Sequence, residues 1–204
     1  MTTIALPYAG AFLASKWEFG YSANVFGSES PLNGSVQAVS IPGDRFTARL
    51  TLRATTHTER ADVEGFLFSL RPSKTVSVNQ LSCHHLARPA PRGTMRGSPT
   101  VQSDAGQLAT SLLIQSSVGA TLFRGDMIGV NGQVVMVTAD ATANGSGVIT
   151  ASITAPLRSA AVIGNSVTWD KPTIKWRVVG MPMVTYDPGQ TSDAIALDLV
   201  EDFS

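Results

Sequence analysis

The sequence predicts a mainly β protein: an antiparallel β-sandwich or barrel-like body with one short helix, an extended Pro/Gly-rich arm and a second, small barrel-like strand set. Three observations carry that reading. Phe46, Ala48, Leu50 and Leu52 alternate with Thr47, Arg49, Thr51 and Arg53, the period of a strand with one buried and one wet face. Asn131-Gly132 separates two short apolar runs, and this dipeptide tolerates positive φ at both central positions of a tight hairpin turn. Although 43% of the 204 residues are hydrophobic and the mean hydropathy is +0.12, no stretch approaches the roughly 20 uninterrupted apolar residues of a spanning helix.

Taken in order, the chain opens on MTTIALPYAGAFLA, which is apolar but has no basic segment before it and is interrupted by Pro7 and Gly10. It is read as part of the folded protein, not as a secretion signal. Pro31-Leu32-Asn33-Gly34 and Pro42-Gly43-Asp44 are turns that leave Ser35 to Ile41 as a short strand, and the alternating strand at 46–53 follows.

Thr56 and Glu59 have the spacing of a capping box, and Val63, Phe66, Leu67 and Leu70 fall on one helical face, so a helix is expected near 59–70. Gly65 weakens it by up to about 1 kcal/mol relative to alanine. Arg71-Pro72 ends it. Between 87 and 107 the chain carries Pro89, Pro91, Pro99, Gly93, Gly97 and Gly106 with no sustained periodicity, which reads as an extended arm or long loop.

Asp126 to Val130 and Gln133 to Thr138 are the strands flanking Asn131-Gly132. A second hairpin is expected around Asn144-Gly145-Ser146-Gly147, leading into Val148 to Thr154 and stopped by Pro156. Val167 and Trp169, then Ile174, Trp176 and Val178, continue the alternation across Asp170-Lys171-Pro172. Ile195, Leu197 and Leu199 mark a closing strand. The organisation read from these signals is residues 1–86 as a sandwich part with the helix, 87–107 as the arm, 108–180 as the small strand set, and 181–204 as a terminal strand open to return to the first sheet.

The charges say little in total and more in their order. Fifteen Lys and Arg balance fifteen Asp and Glu, and only 15% of residues are charged, so little repulsion keeps copies apart. Residues 1–103 hold ten bases and six acids, a net of +4, and residues 104–204 hold five and nine, a net of −4. The basic run Arg71, Lys74, Arg88, Arg92, Arg96 lacks the dense clustering that phosphate neutralisation demands, so no specific nucleic-acid binding is expected.

Chemistry is equally sparse. Cys83 is the single cysteine, which fits folding in a reducing cytoplasm. Cys83-His84-His85 are adjacent and alternate in direction, and no second paired ligand spacing exists for zinc. His57 stands alone. Asp126, Asp140, Asp170 and Asp187 sit beside turns, where a short acceptor caps free amides. Asn33-Gly34-Ser35 and Asn144-Gly145-Ser146 read as turns and not as glycan acceptors. No phosphate-cradling glycine loop is present. The expectation is a non-enzyme with no metal, cofactor or catalytic residues.

Several segments carry a family resemblance. Ser30-Pro31-Leu32-Asn33-Gly34-Ser35-Val36-Gln37 followed by Pro42-Gly43-Asp44-Arg45-Phe46, the helix end Glu64-Gly65-Phe66-Leu67-Phe68-Ser69-Leu70-Arg71, and Pro91-Arg92-Gly93-Thr94 are three of them. Leu122-Phe123-Arg124-Gly125-Asp126-Met127-Ile128-Gly129-Val130, Ala155-Pro156-Leu157-Arg158 and Leu197-Asp198-Leu199-Val200-Glu201 complete the set. Together they resemble distal tail proteins, structural proteins at the tail tip of long-tailed bacteriophages.

The resemblance implies a β-sandwich-like body arranged as a six-fold ring that joins the tail tube protein to the baseplate hub protein, located in the virion and assembled in the host cytoplasm. It implies no membrane partner. A ring needs two different surfaces on each copy, and oppositely charged halves favour that head-to-tail direction. Arg71, Arg88, Arg92 and Arg96 on the basic side and Asp198 and Glu201 on the acidic side are the candidate interface residues. The alternatives are another virion structural protein, such as a tail-tube or head-to-tail joining protein, or a carbohydrate-binding module using exposed tryptophans such as Trp169 and Trp176.

Overall fold

The computed structural model describes residues 3–5, 13–29, 34–40, 43–53, 57–69, 75–79, 91–170, 172–180 and 194–203. Before the Pro/Gly-rich stretch lie β1 (Thr3–Ala5), β2 (Leu13–Ser22), β3 (Val25–Glu29), β4 (Val36–Ser40), β5 (Arg45–Arg53), α1 (His57–Ser69) and β6 (Thr75–Asn79). After it come β7 (Thr100–Val101), β8 (Ser111–Gln115), β9 (Thr121–Leu122), β10 (Met127–Val130), β11 (Gln133–Met136), β12 (Ala141–Thr142), β13 (Val148–Ser152), β14 (Val167–Thr168), β15 (Thr173–Val178) and β16 (Ala194–Glu201). The protein is mainly β with one short helix, and its several antiparallel sheets include no closed barrel among the described residues, consistent with a sandwich-like body.

The chain divides into two compact units. The first comprises Met1–Gly20, Phe46–Pro89 and Thr173–Ser204; the second comprises Tyr21–Arg45 and Ala90–Pro172.

The first unit is built on a sheet ordered β1-β6-β15-β16-β5-β2. β1 runs parallel to β6, whereas β15 and β16 run antiparallel to their neighbours. β16 pairs with β5 from Ala194↔Arg53 to Val200↔Thr47, which places Leu197 opposite Leu50 on the same face. That face is the core: Phe46, Leu50 and Leu52, with Ile195, Leu197 and Trp176, are all buried. Val63, Phe66 and Leu67 bury the apolar face of α1 in the same unit, at the spacing the sequence predicts. Thr56, expected from the sequence to cap it, lies outside the described residues.

Trp176 is the largest of these side chains and is fully buried. Its ring meets Trp17 edge-on at 5.9 Å and Phe19 edge-on at 6.3 Å, while Phe19 stacks on Phe46 at 5.0 Å. Edge-on contacts of this kind set a positive ring edge against a negative ring face. β15 belongs to this sheet through Trp176↔Val76 and Trp176↔Glu201, so residues 173–180, grouped from the sequence with the second strand set, are part of the first unit. Alternation at Ile174 and Trp176 reveals a buried face but not which sheet owns it.

The second unit packs three small sheets, β13-β8-β7, β11-β10-β14 and β12-β9, around Met95, Leu112, Ile114, Leu122, Ile128 and Ile149. Asn131 (φ 48°) and Gly132 (φ 75°) close the β10–β11 hairpin as the sequence predicts, and the Asn131 side chain donates to Ser159 Oγ at 3.2 Å and the Ala160 carbonyl at 3.1 Å. The second expected hairpin is different. Asn144 Oδ1 accepts from the Ser146 and Val148 amides and forms the turn, but β13 pairs with β8, Ile149 opposite Ile114, and not with the strand just before the turn.

Apart from β7, residues 91–107 are irregular yet closely packed: Pro91, Gly93, Met95, Pro99 and Val101 are all buried. Asp126, itself 2% exposed, accepts the Arg92 amide through Oδ1 at 2.8 Å and the Gly93 and Phe123 amides through Oδ2 at 2.9 Å each. Thr94 and Thr121 exchange backbone-to-hydroxyl bonds at 3.0 Å in both directions. The segment is laced onto the second unit by these bonds.

Candidate assembly surface

The expected interface residues fall into three situations. Arg71 and Arg88 lie outside the described residues, as do Cys83, His84, His85 and Asp187. Arg92 and Arg96 are exposed but engaged: the Arg92 guanidinium lies 5.4 Å from the Phe123 ring centre, and Arg96 lies 4.8 Å from that of Trp169 while donating to the Gly93 and Met95 carbonyls at 2.9 and 2.7 Å. Asp198 is exposed and sits opposite Arg49, 3.6 Å from its Nε.

Glu201 is not a surface group. It is 5% exposed and its carboxylate accepts the Phe46 amide at 3.0 Å, continuing the β16–β5 ladder with a side chain just past its last pair, Val200↔Thr47. Glu201, expected from the sequence at an interface, is therefore a buried structural carboxylate.

At one point the two halves of the sequence meet with opposite charge, Asp198 against Arg49. β16 inserts between β15 and β5, so an acid of the second half faces a base of the first within one sheet. Strand pairing over a long sequence separation mixes what the linear order separates.

Two features of the described surface stand out instead. β3 and β4 pair antiparallel from Val25↔Ser40 to Glu29↔Val36, and none of their described side chains is buried on either face. Val25 is 53%, Phe26 66% and Val36 69% exposed. A two-stranded hairpin alone in water is marginal, because neither face buries apolar area. At its base Asp44 accepts from the Tyr21 hydroxyl and from the Asn24 amide. Glu29 is the single charged residue between Ser22 and Gly43.

The second feature lies on the outer face of the six-stranded sheet. There Arg177 stands opposite Val200, and Val200 opposite Thr47, while a Cβ on Gly20 would come 3.1 Å from Thr47 Oγ1. The small residues at this row leave a shallow groove of about 590 Å³, also lined by Glu18, Arg49, Asp198 and Val179. Lys16 bonds Glu18 at 2.7 Å. That hydrogen bond and charge, with a smaller contribution from Arg49, hold the Glu18 carboxyl below the usual glutamate value of 4.5. Lys175 and Arg177 are exposed and make no ion pair among the described residues.

Neither protein-family models nor curated proteins match this sequence.

Among the described residues no three His, Cys, Asp or Glu side chains are grouped to hold a metal ion, and no helix is long and apolar enough to cross a membrane. The buried carboxylates of Asp126 and Glu201 are spent on backbone amides. Of the tryptophans expected to be exposed, Trp176 is fully buried, and Trp169 has Arg96 over its ring and donates its Nε1–H to the Gly97 carbonyl at 2.8 Å.

Proposed function

We propose that the protein is a structural component of a long-tailed bacteriophage tail tip, forming a ring that connects the tail tube to the baseplate hub. The observation that carries this reading is the β3–β4 hairpin, which has one charge and, among its described side chains, leaves Val25, Phe26 and Val36 exposed and none buried. Exposed apolar surface of this kind marks an interaction site. A neutral chain with few charged residues and a β-rich body supports the same conclusion, as does the resemblance of its sequence segments to distal tail proteins.

In this reading the partners are further copies of the chain, six to a ring, with the tail tube protein on one side and the hub protein on the other. The work is mechanical and calls for no cofactor. The test is electron microscopy of the purified chain, alone and mixed with the products of the two adjacent genes. Rings with an axial channel that cap a tube on one face support the proposal. Isolated monomers that bind neither product oppose it.

A further inference from the structure

We infer that the outer-face groove of one copy is the dock for the β3–β4 hairpin of the next copy. This rests on the ring reading above and specifies the contact that builds it. The hairpin face bearing Val25, Gly27 and Glu29 also holds the Val36, Ala38 and Ser40 positions of the facing strand, and it is low at its centre, where Gly27 and Ala38 are paired. A Cβ on Gly27 meets nothing within 4 Å, so the centre of that face is open.

The groove has the matching pattern. Its floor is the row Val200, Thr47 and Gly20. At one end of that row stands Arg177, the cross-strand neighbour of Val200 and a cation without an ion-pair partner among the described residues, with Lys175 two residues along the same strand face.

Charge decides the occupant. The hairpin has one charge, the carboxylate of Glu29 beside Val36; the groove's own Glu18 and Asp198 are paired with Lys16 and Arg49, and Arg177, beside Val200 at the groove's edge, makes no ion pair among the described residues. Seating Val36 over the small-residue row brings Glu29 to Arg177, whose planar fork of donors suits a carboxylate. Hairpin and groove are different surfaces of one chain, so their contact between copies is heterologous and propagates head to tail. Each copy then covers a groove and has its own hairpin covered, removing the exposure of Val25 and Val36.

The experiment is a charge exchange read by native mass measurement on the full chain. Glu29→Arg and Arg177→Glu are each expected to weaken self-association at least about tenfold, and the double variant to restore it, because every contact then regains opposite charges. Both positions are exposed, so folding is retained. As a second readout, copies carrying Val36→Cys and copies carrying Thr47→Cys, both in a Cys83→Ser background, are expected to form a disulfide only when mixed. If wild-type copies assemble while neither reversal weakens assembly and the mixed cysteines do not join, the dock is wrong and the ring reading stands. If wild-type copies never associate, both fall.

Discussion

Asp126 Oδ2 accepts the backbone amide of Gly93 at 2.9 Å across 33 residues of sequence, and so fastens the Pro/Gly-rich segment to the strands of the second unit. Replacing this carboxylate with alanine leaves the Arg92, Gly93 and Phe123 amides without their acceptor. Asp126→Ala is expected to lower stability by about 3 kcal/mol. Chemical denaturation followed by the fluorescence of Trp169 measures it, and an unchanged midpoint contradicts the fastening.

Gly93 is constrained by space as well as by that bond. A Cβ there would lie 2.1 Å from the Thr121 carbonyl oxygen, with backbone atoms that have nowhere to go. Gly93→Ala is expected to cost about 3 kcal/mol by overpacking. Gly145→Ala, in a turn where a Cβ meets nothing within 4 Å, is the control and is expected to stay within about 0.5 kcal/mol. Thermal denaturation of the pair compares them directly.

Trp176 anchors the first unit against Trp17 and Phe19. Its truncation to alanine is expected to cost about 3–5 kcal/mol, and Trp176→Phe less. Guanidinium unfolding monitored by circular dichroism reports both. A small loss for the alanine variant means that the aromatic cluster does not hold the sheet.

Glu18 titrates below its usual value because Lys16 stabilises the charged form. Its pKa is lower in the folded than in the unfolded protein, so its contribution is present above the unfolded value and is lost as pH falls through the folded one. An NMR titration is expected to show the Glu18 carboxyl resonance moving below pH 4.5 and shifting upward in Lys16→Met. No movement in the variant removes Lys16 as the cause.

Periodicity made faces legible and left partners hidden. The buried side of β5 could be read from Phe46 to Leu52, that of β16 from Ile195 to Leu199, and the Asn131-Gly132 turn was visible as a local requirement for positive φ. What the alternation of Val148 to Ser152 does not contain is its partner: β13 pairs with β8, more than thirty residues upstream, and not across the nearer turn. The same non-local pairing placed Asp198 beside Arg49 and buried Glu201, neither of which the linear order of charges reveals.

The candidate surface was missed for a related reason. Val25 to Glu29 lacks strong alternation, and Lys175 and Arg177 looked like the ordinary wet side of a strand. Only their exposure and cross-strand neighbours distinguish them.

Self-association is the central claim, and native mass measurement of the purified full chain across a concentration series tests it most directly. The account predicts a closed species of six 21.4 kDa copies that falls apart in Glu29→Arg. A single 21.4 kDa species at every concentration contradicts it.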